Sequence, residues 1–196
     1  MHFEENEICH LFNRSNRGQL IFYKDDNYQY FLKKVTKEWV NYFDILAYCL
    51  MPTHFHFMVH VKEIDNLNKI KNAVGKLLSS YTQALNKQNH THGSLFQDNT
   101  KTKTLSHKKV LHNHIINANE YPLHCFNYIH LNPVKDKFII NPADWKYSSY
   151  LDYAKLRENS ICNISMAEKM LGFTRGQEFI AITNKAQNDN HYLIDF

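Results

Sequence analysis

FDILAYCLMPTHFHFMVHV (residues 43–61) reads as two strands around a tight break. Phe43 to Leu50 forms the first strand, Met51-Pro52-Thr53 turns the chain, and His54 to Val61 forms the second. Successive side chains of a strand point to opposite faces. His54 and His56 therefore share a face, about 6.6 Å apart at ~3.3 Å per residue. Phe55, Phe57 and Val59 fall on the other face, which is expected to be core. Strands joined by so short a connection pair antiparallel. Two imidazoles side by side on a rigid strand can take one metal ion with little reorganisation. The same letters also fit a half-buried strand carrying two polar residues.

Working outward, Glu7 to Arg14 reads as a strand, followed by a polar, basic turn from Asn13 to Gly18. Arg14 and Arg17 in that turn are candidates to meet a phosphate, although an ordinary surface turn has the same composition. Asp25 or Asp26 is positioned to cap a helix to about Asn41, with Tyr28, Phe31, Leu32, Val35 and Trp39 on its buried face. Asp65 is positioned to cap a second helix to about Lys87, with Lys69, Lys71 and Lys76 on its polar side. Gly93 to Gln97 is expected to begin a strand running into Thr100–Thr104, where Lys101 and Lys103 alternate with threonines. His107 to Asn117 reads as a helix, on which His112 and His114 would not face each other. Glu120 to Asn132 reads as another helix, ended by Pro133. Two short helices, Ser165–Leu171 and Arg175–Thr183, close the chain. The order β-α-β-β-α-β, then helices, implies an α+β domain: a ferredoxin-like antiparallel sheet with helices on one face. The expected division is a domain over 1–150 and a small helical appendage over 151–196.

Bulk properties narrow the function classes. Hydrophobic content of 43% with only 5 glycines and 4 prolines excludes a disordered chain. No apolar run reaches the ~18 residues of a membrane span, and the polar, acidic start resembles no signal peptide, so a cytoplasmic location is expected. Cys9, Cys49, Cys125 and Cys162 form no metal-type pair, and three of them sit in apolar sequence. Between Asn66 and Asn119 eight lysines stand against one acid, Asp98, while the whole chain carries a net charge of only +4. That asymmetry points to a polyanion-facing surface or, equally, to a solvated lysine-rich helix and loop.

The chemistry comes from combining His54 and His56 with Tyr128-Ile129-His130-Leu131-Asn132-Pro133-Val134-Lys135. Tyr128 and Asn132, four apart, share a helix face. The Asn132 amide oxygen would complete a site begun by the two imidazoles and leave positions open. Imidazole with oxygen donors suits Mn²⁺, with Mg²⁺ as the alternative. Tyr128 would point its hydroxyl at a phosphorus held there. Attack by the phenol would give a phosphotyrosine and a free 3′-hydroxyl, so that the phosphodiester energy is conserved and strands can be rejoined. Taken singly, Tyr128 also fits a core tyrosine and Asn132 a helix-terminal residue.

CLMPTHFHFMVH (49–60) and YIHLNPVK (128–135) together resemble the REP-associated tyrosine transposases of the single-tyrosine HUH class, HUH being matched by His54-Phe55-His56. The resemblance extends to HLFNRSNRG (10–18), GSLFQ (93–97) and WKYSSY (145–150), over roughly residues 8 to 150. It implies that Tyr128 is the nucleophile, that His54, His56 and Asn132 hold a divalent metal, and that the substrate is single-stranded DNA with hairpins, REP-like or from transposon ends. Arg14, Arg17, Lys69, Lys71, Lys76, Lys101, Lys103 and Lys135 are the candidate DNA contacts. Thr53 stands where the family often has Asn, Lys135-Asp136-Lys137 where it more usually has Arg-Ala-Gly, and Asp-Asn-Thr after Gln97 where it has a basic-aromatic run. The last two bear on DNA sequence preference. Other readings are a non-cleaving hairpin-binding regulator on the same fold, a replication-initiator relative and a purely structural protein. The expected enzyme works on DNA near the nucleoid as a monomer or homodimer.

Overall fold

The computed structural model describes residues 1–63, 66–105, 109–111, 114–116 and 120–190. Its frame is a four-stranded antiparallel sheet in the order β2-β3-β1-β4, with β1 Ile8–Arg14, β2 Phe43–Met51, β3 His54–Val61 and β4 Lys101–Thr104. Helix α1 (Asp25–Trp39) links β1 to β2, and α2 (Asn68–Asn89) links β3 to β4. This is the ferredoxin-like outline, and it follows from the short β2–β3 turn: β3 folds back beside β2 and pairs on its other side with β1.

The two-residue period of β3 then divides the molecule. Phe55 and Phe57 meet Phe31 of α1, with ring centroids 5.4 and 6.4 Å away, and Tyr81 of α2 meets Phe31 at 5.0 Å. Both framework helices thus lie on one face of the sheet. Helix α3 (Tyr121–Lys135) lies on the other, against β2 and β3. Next come α4 (Tyr150–Tyr153), whose Tyr153 meets Phe126 of α3, α5 (Ile164–Leu171), which packs against β2, and α6 (Gln177–Asn188), which packs on α3. Phe179 of α6 touches Phe126 and His130 of α3, and Thr183 bonds Asn127 at 3.3 Å. His130, the middle polar residue of YIHLNPVK, is therefore a core residue bonded to Ser149 at 2.7 Å. The WKYSSY segment covers the open edge of β2: Leu50 N–H donates to Tyr147 O and Ser149 N–H to Tyr48 O. That removes an unpaired edge from solvent.

Several local expectations are corrected. Of the helix expected over 107–117, the described residues instead form two strands: β5 (Lys109–Leu111) and β6 (His114–Ile116) pair as a separate two-stranded ribbon. Val110, Ile115 and Ile116 are β-branched, which favours a strand over a helix. His112 and Asn113 lie outside the described residues. Residues 93–97 are a loop, not the start of β4; a single antiparallel bridge of Ser15 with Phe96 (Asn16 N–H to Leu95 O, Gln97 N–H to Arg14 O) ties it to the turn after β1, and the side-chain amides of Asn16 and Gln19 bind its carbonyls. The α3 helix does not stop at Asn132 but runs through Pro133 to Lys135. Burial of Asn132 and Pro133 outweighs the lost N–H, and Asp136 N–H bonds the Asn132 carbonyl at 3.0 Å. At α1 neither Asp25 nor Asp26 is the cap: the Asn27 amide oxygen accepts from the N–H groups of Tyr23 and Lys24. Asp65, the expected cap of α2, lies outside the described residues, and Asn66 Oδ1 accepts from Asn68 N–H. All four cysteines are buried and free. Among the described residues no helix is long and apolar enough to cross a membrane.

Candidate active site

Strand pairing decides what shares the face under α3. Opposite His56 stand Phe12 of β1 and Cys49 of β2; opposite His54 stand Arg14 and Met51. One strand further, Lys101 faces Phe12 and Lys103 faces His10. The alternation His10, Phe12, Arg14 thus joins the alternation His54, His56. Over this row α3 presents Tyr128 and Asn132. Together they line a cavity of about 420 Å³ whose wall includes Phe12, Arg14, His54, His56, Lys101, Tyr128, Asn132, Lys135 and Asp136.

Within it, His54 Nε2 lies 2.9 Å from Asn132 Oδ1 and 3.8 Å from Asp136 Oδ2. As a hydrogen bond, His54 Nε2–H donates to the amide oxygen. The same separation is also the edge of an octahedron with ~2.1 Å metal–ligand bonds, which is about 3.0 Å. His54 Nδ1 meets the Thr53 hydroxyl at 3.2 Å. His56 Nδ1 meets His10 Nε2 at 2.9 Å, leaving Nε2 as its other ring nitrogen. Among the described residues no three His, Cys, Asp or Glu side chains cluster to hold a metal on their own. The donor set that fits a divalent ion is two imidazoles and one amide oxygen, with the Asp136 carboxylate beside it.

Burial dominates the electrostatics. It pushes His54 below the ordinary imidazole value; the Asn132 bond and Asp136 oppose it, and Lys135 and Arg14 add to it. His56 is pushed well below by burial, then by His10, His54 and Lys135. Burial, with help from Lys103, brings His10 down to about 3. Neutral rings keep a lone pair for ligation. Tyr128 is only 6% exposed; its ring stands nearly perpendicular to that of His56, centroids 5.4 Å apart, with Lys135 Nζ 5.0 Å from its centre.

The sequence-derived candidates therefore separate. Tyr128, His54, His56, Asn132, Arg14, Lys101 and Lys135 are brought together. Lys103 lies on the same sheet face, its Nζ 5.8 Å from the Phe12 ring centre. Arg17 is exposed in the turn after β1, outside the cavity, with a left-handed φ of 54°. Lys69, Lys71 and Lys76 sit on α2, across the sheet, and Lys76 is paired with Glu38 at 2.9 Å. His10, Phe12 and Asp136 had no assigned role from sequence. The period-two row His10-Phe12-Arg14 is the signal that marks the first two.

No family model matches the chain. A Haemophilus influenzae protein that carries the provisional name REP-associated tyrosine transposase is 26% identical over 117 residues, 55% of this chain and 59% of that relative. The match thus spans about three fifths of the relative's length. The solved structure of a REP-associated tyrosine transposase bound to a REP hairpin aligns with a TM-score of 0.59 at 18% identity, over 82% of this chain and 87% of the other. Over about half of its sequence, and in its fold, this chain is similar to REP-associated tyrosine transposases.

Proposed function

We propose that the chain is a metal-dependent single-stranded DNA endonuclease and strand transferase, a transposase that cuts beside DNA hairpins through a 5′-phosphotyrosine on Tyr128. What carries this reading is the convergence of Tyr128, His54, His56 and Asn132 in one open cavity rimmed by Arg14, Lys101 and Lys135. His54, His56 and Asn132 would hold Mn²⁺ or Mg²⁺, which when bound supplies Lewis-acid polarisation of the phosphodiester. Arg14 and Lys101 hold the DNA backbone against the cavity. The Tyr128 oxygen attacks phosphorus, the P–O3′ bond breaks, the phenol proton passes to water, and the departing 3′-oxygen takes a proton from water. Lys135 brings positive charge to the place where anionic oxygens gather. A second 3′-hydroxyl reverses the step without ATP. That Tyr128 and both histidines of one chain line the same cavity supports a reading in which the tyrosine acts within its own subunit. A hairpin partner is in keeping with the relative solved on a REP hairpin.

The test is a denaturing gel of the protein with end-labelled hairpin single strands and Mn²⁺. The expected result is a protein-linked band that Tyr128→Phe abolishes while hairpin binding persists. A band that survives in Tyr128→Phe removes the nucleophile. Hairpin binding by wild type with no band across a broad hairpin library identifies a non-cutting binder instead.

A further inference from the structure

His10 is wholly buried on β1, and its Nε2 lies 2.9 Å from Nδ1 of His56. The two rings lie edge to edge, with centroids 5.1 Å apart and planes 22° from parallel, as a shared N–H···N bond requires, and Phe12 stacks on His10 at 4.6 Å. Neither ring is free to turn away. Two ring nitrogens at hydrogen-bond distance share one proton: both bare, they repel, and both protonated, they clash. A neutral imidazole carries a single N–H. If His10 donates, the proton of His56 sits on Nε2, and that nitrogen has no lone pair for a cation. If His56 donates from Nδ1, its Nε2 is bare. Ligation through His56 Nε2 therefore requires an acceptor at His10.

We infer that His10 is a positioning residue of the metal site: its Nε2 accepts from His56 Nδ1–H and so fixes the tautomer that turns a bare His56 Nε2 toward the ion. This rests on the metal-binding reading above. Partners on the far nitrogen of a metal-bound histidine set its ring orientation and basicity, and their loss typically costs 10–100-fold in affinity. Here the partner is 46 residues away in the chain and reaches His56 only through the β1–β3 pairing.

The experiment uses the whole protein without DNA. Mn²⁺ affinity is read by electron paramagnetic resonance for wild type, His10→Phe, which keeps a ring but has no acceptor, and His10→Gln, whose amide oxygen can accept. Long-range ¹H–¹⁵N spectra of the Mg²⁺-saturated wild type report which nitrogen of His56 carries the proton. The inference expects about 10–100-fold weaker Mn²⁺ binding in His10→Phe, recovery to within about threefold in His10→Gln, and an Nδ1–H signature for His56. Equal Mn²⁺ affinity in wild type and His10→Phe overturns it, as does an Nε2–H signature for His56, which needs no variant to fold. A wild type that takes up no Mn²⁺ overturns the metal-site reading itself and the inference with it.

Discussion

The two faces of the four-stranded sheet are made by the same strands and do opposite things. On one, Phe55, Phe57 and Leu11 are sealed under α1 and α2 in a dry aromatic layer. On the other, His54, His56, His10, Phe12 and Lys101 lie partly under α3, which leaves a cavity open beside Tyr128. The sealed layer and the candidate active site are separated by one residue of strand register. A one-residue slip of β3 would exchange every side chain between the faces, so the packing of Phe55 and Phe57 also aims the imidazoles.

Neighbouring substitutions on β3 should break this pairing most sharply. His54→Ala is expected to lower Mn²⁺-stimulated cleavage on the order of a hundredfold or more. Its melting temperature should move by only about 2 °C or less, since the side chain touches the cavity and not the aromatic layer. Phe55→Ala is expected to do the reverse, costing about 3–5 kcal/mol and roughly 6–20 °C in a chain of this size, while residual folded protein still binds Mn²⁺. Calorimetry and metal titration of the two proteins check this. Equal thermal losses would mean that the faces are not independent.

A smaller effect tests how dry the sealed face is. Cys9 lies there opposite Val59, and burial pushes its thiol up to about 11; Cys162, beside α5, is pushed up by burial to about 12. Their unfolded value is 9.0, so the folded protein keeps protons that the unfolded chain releases. This contribution is complete below pH 9 and is lost as pH rises through the folded values. The expected slope above pH 9 is about 1.4 kcal/mol per pH unit for each thiol. Thermal melts between pH 8 and 10 measure it, and Cys9→Ala should reduce the slope by one thiol's share. A flat profile would show that water reaches these thiols.

The same period-two alternation made β3 and both of its faces readable, and with the 3.6-residue periodicity of α1 and α2 it predicted the ferredoxin-like order. What sequence did not reveal depends on contacts across the chain. His10 joins the site because β1 pairs with β3: its alternation with Phe12 and Arg14 marks a shared face, but not which strand lies beside it. Asp136 joins it because α3 persists through Pro133, where local propensity predicts a stop and burial prevails. In the segment expected as a helix over 107–117, the β-branched Val110, Ile115 and Ile116 carry a strand signal, and the described residues there pair as strands. Charge acts by face and not along the chain: the lysines of α2 and those of β4, close in sequence, lie on opposite sides of the sheet.

That division gives the smallest and most discriminating prediction. If single-stranded DNA lies along the cavity, Lys101 and Lys135 meet phosphates, and Lys71, exposed on α2 across the sheet, does not. Each lost phosphate contact should reduce the slope of log affinity against log salt by about 0.7 for a single strand. Lys101→Ala and Lys135→Ala should each show that reduction for hairpin DNA, and Lys71→Ala should leave the slope unchanged. Filter binding across a salt series on the cleavage-dead Tyr128→Phe background reads this without strand loss. A reduced slope in Lys71→Ala would mean that the DNA wraps past the strand edge onto the helical face, and the sheet would then divide chemistry from stability but not binding from stability.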